Sequence, residues 1–492
     1  MHFILGLDIG TTGCKASIYN EKGSVCASAY REYLNLHTDG SLDAEGVWSR
    51  MREAIGVCTK GYPEIEAVCT ASFGETVVCT DHRGNALSRA ILYTNANAQE
   101  DWKRLDQAAG SSRIAKITGH ISHPMYTISR LMWIKRNQKE VYDKTEKFLF
   151  MAGFIEKKLG GDWCAEETLA ARSMAYDVRK GKWSDELCTA AGISLEKLPP
   201  VVKAGEAVGR VKEELVKYFG WKKSPVILAG GHDQPCTALG LGAVNGGDAA
   251  YGLGTAECFT LVLDAFTQSE KMQKAHLICT PHVVEHKYVT YGVLFSGNIV
   301  LSRLKEALYT GETQQERSGG VNVYEQMMRE MPETTDLLFL PHLAGTGTPQ
   351  MDMDDRGVIH GLTLETKRGE LVRAALEGIA FDMRRNLDNM KACGLPIGQI
   401  LAAGGGARAS KGLQIRSDIL GEPIYVSEDV QAGTRGVFYI AAKALGWIHE
   451  YEQIKNYSEC IQYRPQAEPV SSYYEQKKRR YWQLYKKCCH HK

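Results

Sequence analysis

Ile227-Leu-Ala-Gly-Gly-His-Asp233 returns far downstream as Ile400-Leu-Ala-Ala-Gly-Gly-Gly406, with glycine where the first copy ends in an acid. An apolar run followed by glycines marks a buried strand entering a tight turn. A chain that builds this unit twice and keeps the carboxylate on only one is expected to have two related lobes with divided chemistry. The expected division is a catalytic base in one lobe and a nucleotide bed in the other.

Outward from these units, the pattern starts twice. Phe3 to Leu7, Lys15 to Tyr19 and Ser24 to Tyr33 read as an antiparallel meander joined through Gly10-Thr-Thr-Gly13 and Asn20-Glu-Lys-Gly23. Asp43 to Val57 has helical spacing with Asp43 as N-cap, and Ile65 to Phe73 returns to strand. The order restarts at Asp248-Ala-Ala-Tyr-Gly-Leu-Gly-Thr255, followed by Cys258-Phe-Thr-Leu-Val-Leu263 and Tyr288 to Leu294. A helix from Gln234 to Leu241 leads into the small residues of Leu241 to Gly247, so the domains are expected at 1–244 and 245–492, with Asn245-Gly-Gly247 as part of a hinge. Glu370 to Lys391, Lys411 to Leu420 and Ala432 to Leu445 read as helices, and Ile400 to Ala403 as a buried strand.

The 492 residues are 44% hydrophobic and 24% charged, enough for a sizeable core but too many for one ordinary domain. Fifty-nine basic residues against 58 acidic ones leave no field to capture nucleic acid or an anionic membrane, so a small-molecule partner is expected. The 14 cysteines are scattered without a Cys-x-x-Cys pair, which points to a reducing cytoplasm. Met1-His-Phe-Ile-Leu-Gly-Leu7 lacks a basic leader and reads as a first strand, not as a signal peptide or a membrane span. Cys488-Cys-His-His491 holds soft metal ligands, but four adjacent residues enclose one ion poorly, so a loose tail is expected. Lys477-Lys-Arg-Arg480 reads as the solvated face of a docked terminal helix.

Asp8-Ile-Gly-Thr-Thr-Gly13 sits at a strand end, where glycine amides and two hydroxyls can cradle phosphate; a polar hairpin turn is an equal alternative. The segment is not a P-loop, since it lacks that spacing and leads into a strand. Asp8 at its mouth could hold a hydrated Mg²⁺ through water. Gly252-Leu-Gly-Thr255 repeats the turn, and Gly404-Gly-Gly406 offers a flat backbone surface for a purine; closely packed tight turns are the alternative for both. Gly240-x-Gly242-x-x-Asn245 follows a helix, so it is no dinucleotide fingerprint. Asp233 can take a proton from a substrate hydroxyl, or cap the helix that Pro235 would begin, or do both.

Together these segments resemble the FGGY family of carbohydrate kinases from Ile4 to about Leu445. Met125-Tyr-Thr-Ile-Ser-Arg-Leu-Met-Trp-Ile-Lys-Arg-Asn137 is similar to the first family signature, with Arg130 in place of the usual Lys. Gly357-Val-Ile-His-Gly-Leu362, a spacer and Glu370-Leu-Val-Arg-Ala-Ala-Leu-Glu377 are similar to the second. The resemblance implies an α/β fold of two ribonuclease-H-like lobes of the actin and hexokinase type around a cleft. It implies Asp8, Thr11 and Thr12 as the metal and phosphate loop and Asp233 as catalytic base. Gly254 and Thr255 would form the second phosphate loop, and Gly404, Gly405, Gly406 and Ala407 the adenosine turn. Gly345-Thr-Gly-Thr-Pro349 resembles the family's interlobe segment. The implied reaction is transfer of the ATP γ-phosphoryl group, with Mg²⁺, to a hydroxyl of a sugar or polyol.

Phe73-Gly-Glu-Thr76 differs from the Gln-Met-His-Gly of xylulose kinases; Glu75-Thr76 resembles glycerol kinases and Phe73-Gly74 fuculose kinases. Glu75 and Thr76 are expected substrate contacts beside Asp233. Asn95 and Asn97 could bond sugar hydroxyls or form a turn in the polar loop, and of the two Asn95 is taken as a contact, while His232 is expected to be packed or solvent-facing and Met125 to be core. Tyr93-Thr-Asn-Ala-Asn97 replaces the common Trp-x-Asp-x-Arg, so a neutral substrate is expected over an acid such as gluconate. A ketopentose such as xylulose is the first expectation, a deoxyhexulose or polyol the second, and a non-catalytic sugar or nucleotide sensor on the same fold the third. A homodimer is left open.

Overall fold

A computed structural model describes residues 2–317, 322–426, 431–451, 454 and 460–489. β1 (Phe3–Ile9), β2 (Gly13–Asn20) and β3 (Val25–Glu32) pair antiparallel in chain order. α1 (Ala44–Cys58) begins where the Asp43 side chain accepts from Gly46 N at 3.1 Å, and returns the chain to β4 (Ile65–Ser72), parallel to β1. After α2 (Thr127–Asn137) and α3 (Glu167–Ala171), β5 (Ala207–Arg210) and β6 (Val226–His232) complete a sheet of order β5-β6-β4-β1-β2-β3. α4 (Asp233–Gly240) then leads out of the sheet.

The second sheet repeats the plan. β7 (Ala249–Leu253), β8 (Glu257–Leu263) and β9 (Tyr288–Leu294) form an antiparallel meander. Beyond β10 (Leu338–Leu340) and α5 (Arg368–Ala392), β11 (Ile400–Ala403) lies parallel to β7. α6 (Ser410–Leu420) and β12 (Ile424–Val426) follow, and β12 is parallel to β11. α7 (Ala432–Ala444), β13 (Ile461–Tyr463) and α8 (Val470–Cys488) end the chain. In each sheet three antiparallel strands carry two parallel strands on the side of the first, which is the two-lobed α/β fold the resemblance implied.

The repeat that announced this duplication pairs strands that are not equivalent. Val226–His232 is the second parallel strand out from β1, whereas Ile400–Ala403 is the first out from β7. Both are interior parallel strands ending toward a turn, and that position demands an apolar run and glycines wherever it occurs.

α7 follows β12 of the second sheet but covers the first sheet. Val437, Phe438, Ile440 and Ala441 pack with Ile4, Ala67 and Leu228. Gly6 permits the approach, since a Cβ there would lie 2.9 Å from the Thr434 carbonyl oxygen. α4 and α7 cross backbone on backbone: a Cβ on Gly436 would sit 1.9 Å from the Cys236 carbonyl oxygen, and one on Gly240 1.9 Å from that of Ala432.

The end of the chain departs from expectation in two ways. Lys477 is buried, not solvated, with Nζ 2.5 Å from Glu377 Oε2 on α5. Cys489 is also buried, because α8 packs Tyr481 and Tyr485 into the second core and carries the end inward; His490 and His491 lie outside the described residues.

Gly436→Ala forces the helix crossing apart and is expected to destabilise by about 1–3 kcal/mol. Gly311→Ala, at a helical site with no neighbouring atom within 4 Å, is expected to be neutral or stabilising. Urea-unfolding midpoints of the two variants check both.

Candidate active site

β6 reaches its end through Gly230, where a Cβ would lie 2.2 Å from the Thr70 carbonyl oxygen, and its register against β4 shifts between Ala229 and Gly231. His232 becomes the N-cap of α4 and Asp233 its first residue, so Asp233 is not the cap. α3 fixes this junction. Glu166 Oε2 accepts from Thr168 N at 2.8 Å and Thr168 Oγ1 at 2.5 Å, and Thr168 Oγ1 accepts from His232 N at 2.8 Å. Burial pushes the Glu166 carboxyl up to about 8.

The Asp233 side chain is 27% exposed. Its Oδ1 lies 3.1 Å from His232 Nε2 without hydrogen-bond alignment, and it has no partner among the described residues. Burial, then the charges of Asp8 and Glu75, raise Asp233 to about 8. Asp8, next to last in β1, is raised to about 6 by burial, partly offset by its cross-strand partner Lys15. The first turn of α7 abuts it, since a Cβ on Gly433 would lie 2.4 Å from Asp8 Oδ2. Thr11 and Thr12 occupy the turn beside it, closed by Gly10 N donating to Gly13 O at 2.9 Å. Two repelling carboxylates with an unpartnered oxygen are hard donors that fit a hydrated Mg²⁺.

Glu75 is buried in a left-handed conformation (φ 60°), and Arg172 Nε donates to its Oε1 at 2.5 Å. The Arg172 guanidinium lies 5.4 Å from the Tyr126 ring and 5.5 Å from that of Tyr291. Tyr291 belongs to β9, so both lobes close on this pair. Arg172 Nη1, Tyr291 OH, His232 Nδ1, Asp233 Oδ1 and Thr76 Oγ1 are buried and lack partners among the described residues. Each such atom costs about 1–3 kcal/mol until a ligand or water satisfies it.

Asn95, expected as a substrate contact, is a turn former: Oδ1 accepts from Asn97 N at 2.9 Å and Nδ2 donates to Asp39 O at 3.0 Å. Asn97 Oδ1, by contrast, is buried without a partner. Arg130 holds the same loop, donating from Nε to Leu92 O at 3.1 Å and from Nη2 to Tyr93 O at 2.6 Å. Met125 packs partly buried against the helical core, and His232 is packed as expected, buried beside Asp233.

On the second lobe, Gly254 and Thr255 form the exposed β7–β8 turn, with Asn298 N donating to Gly254 O at 3.1 Å. Gly404 has φ 106°, and a Cβ there would lie 2.7 Å from the Leu253 carbonyl oxygen. Gly405, Gly406 and Ala407 therefore run directly beside that turn. Beneath it, Glu257 accepts from Tyr251 OH and from Arg416 Nη2, each at 2.5 Å. Arg172, Thr168, Tyr291 and Asn298 had no sequence signal, because each acts through a contact distant in the chain.

The profiles of the FGGY family of carbohydrate kinases match residues 3–240 (N-terminal domain) and 249–445 (C-terminal domain). The chain belongs to this family. It is an ATP-dependent phosphotransferase acting on a sugar hydroxyl. It is 28% identical over 428 residues to the xylulose kinase of Escherichia coli (strain K12), covering 85% of each chain. It is 26% identical over 465 residues to the gluconokinase of Bacillus subtilis (strain 168), covering 92% of this chain and 90% of the relative. The ligand-bound xylulose kinase structure from Lactobacillus acidophilus superposes with a TM-score of 0.88 at 24% identity, covering 99% of this chain and 98% of that one. No helix among the described residues is long and apolar enough to cross a membrane.

Burial raises the Glu166 carboxyl from an ordinary 4.5 to about 8, so its contribution to stability is complete below about pH 4.5 and is lost as pH rises toward 8. Glu166→Gln is expected to flatten the fall in urea midpoint between pH 5 and 8 relative to the parent. Asn97→Ala is expected to lower kcat/KM, and Asn95→Ala to change thermal stability with less effect on kcat/KM, as paired kinetic and melting measurements would register.

Proposed function

We propose that the chain transfers the γ-phosphoryl group of ATP to a hydroxyl of a neutral ketopentose such as xylulose. The observation that carries this reading is the set of buried, unpartnered donors and acceptors around Asp233 and Arg172, which matches a compact polyhydroxylated ligand. Glu75 neutralises Arg172, and neither Asp8 nor Asp233 supplies positive charge, so a substrate carboxylate is disfavoured. The unpartnered Arg172 Nη1 favours a second reading, an acid such as gluconate, in line with the gluconokinase relative. Deoxyhexuloses and polyols stand behind both.

In this reading Asp233 orients the acceptor hydroxyl and takes its proton, while the Glu166–Thr168 pair holds the backbone that carries it. Glu75, Thr76 and Asn97 contact the sugar. Thr11, Thr12, Gly254 and Thr255 hold the phosphates, and Gly404 to Ala407 the adenosine. Bound through Asp8, Mg²⁺ supplies charge neutralisation of the transferring group. Residues 1–244 carry the sugar and the base, and 245–492 the nucleotide. Closure of the lobes excludes the water that would otherwise accept the phosphoryl group. All fourteen cysteines are free, which suits a reducing cytoplasm.

ADP formation is to be measured over xylulose, fuculose, glycerol and gluconate. Xylulose is expected to give the highest kcat/KM, and a preference for gluconate transfers the assignment to the second reading. Asp233→Asn is expected to lower kcat by about 10²–10⁴-fold with ATP binding retained. Retained turnover in that variant removes the base from the mechanism.

A further inference from the structure

Three chemically matched side chains from distant stretches meet inside the second lobe. His342 lies two residues beyond β10, Asp355 in the loop that precedes Val358, and Cys489 at the C-cap of α8. One ligand atom from each lies within 4.8 Å of the others, and all three residues are buried. Asp355 is 6% exposed although its neighbours Asp354 and Arg356 are both exposed, so its carboxylate is turned inward against the trend of its loop.

The fourth participant gives the cluster its direction. Asp382 Oδ2 on α5 lies 2.8 Å from His342 Nε2, leaving Nδ1 to face Cys489 Sγ at 3.7 Å. A carboxylate behind a histidine, fixing ring and tautomer, is the usual support of a metal-ligating imidazole. Zn–S near 2.3 Å and Zn–N near 2.1 Å give an S···N spacing of about 3.6 Å at a tetrahedral angle, close to the observed 3.7 Å. Thiolate, imidazole and carboxylate together suit Zn²⁺ or Co²⁺ and not Mg²⁺, which prefers oxygen, so the nucleotide's cation would not compete here.

We propose that His342, Asp355 and Cys489 form a three-ligand site for a tetrahedral divalent ion of the zinc class, with Asp382 as the supporting carboxylate and a fourth position left for water. On binding, the metal–sulfur bond replaces the thiol S–H bond and the proton leaves to solvent. The ion ties the end of α8 and the stretch from His342 to Asp355, which includes Gly345-Thr-Gly-Thr-Pro349, to α5.

The test is Co²⁺ titration of the full chain after chelation, reading the thiolate-to-cobalt charge-transfer band. The parent and Cys488→Ser are expected to bind one Co²⁺ per chain with the band, and a His490→Ala/His491→Ala variant to keep it. Cys489→Ser is expected to lose the band, with folding checked by ATP binding. Asp382→Asn is expected to keep the band with Co²⁺ binding weakened about 10–100-fold. A parent without the band makes the cluster a hydrogen-bonded trio and overturns the site. A band that survives Cys489→Ser but vanishes in Cys488→Ser or the double histidine variant assigns the metal to the terminal tail, and overturns it equally.

Discussion

The crossing of α4 and α7 is the contact on which the rest of the molecule depends. Gly240 and Gly436 let the two helices meet with no side chain between them. α4 begins with Asp233 from the first sheet, and α7 brings Gly433 against Asp8 from a strand of the second. One contact thus sets Asp233 and the first turn of α7 beside the same Asp8 carboxylate. Because α7 also fills a face of the first sheet, the two halves of the chain share a hydrophobic core. Relative motion of the sheets must preserve this crossing or break backbone contacts that have no slack. The Asn245-Gly-Gly247 turn offers less freedom than its composition promised, since Asn245 N is held by Asp248 at 3.0 Å and Gly246 N by Asp264 at 3.2 Å.

Periodicity made most of the strands and helices legible, and the caps were legible where one side chain does the work, as at Asp43. What failed was equivalence. Interior parallel strands of either lobe must be apolar and end in residues that allow close approach, so two of them look alike whatever their rank in the sheet. The duplication is real, but it is carried by topology and not by the stretch that drew attention to it. Lys477 and Cys489 were misjudged for a related reason: a polar residue near the end of a chain reads as solvated until Glu377 or His342 is known to face it.

Within the site, the residues legible in the sequence are those that act through backbone or through their own position at a strand end: Asp8, Gly404 and Asp233. Of the residues around Asp233, Glu75 and Thr76 were legible as well, but Arg172 and Tyr291 were not. Arg172 matters because Glu75, Tyr126 and Tyr291 surround it, and Tyr291 comes from the other lobe. Asn95 and Asn97 are indistinguishable as letters, yet one amide closes a turn and the other is left without a partner.

The buried acids next to the two glycine turns are treated in opposite ways. In the second lobe Glu257 is matched by Arg416 and Tyr251, so the acid is satisfied and holds the turn above it rigid. In the first lobe Asp8 and Asp233 repel one another, and Lys15 and Arg172 offset only part of the cost of burying them. A fold keeps such a charge imbalance only if the surrounding structure enforces it, and the helix crossing together with the Glu166–Thr168–His232 chain does so. The imbalance marks the first lobe as the one prepared to take up a cation and a proton, in contrast with the satisfied acid of the second.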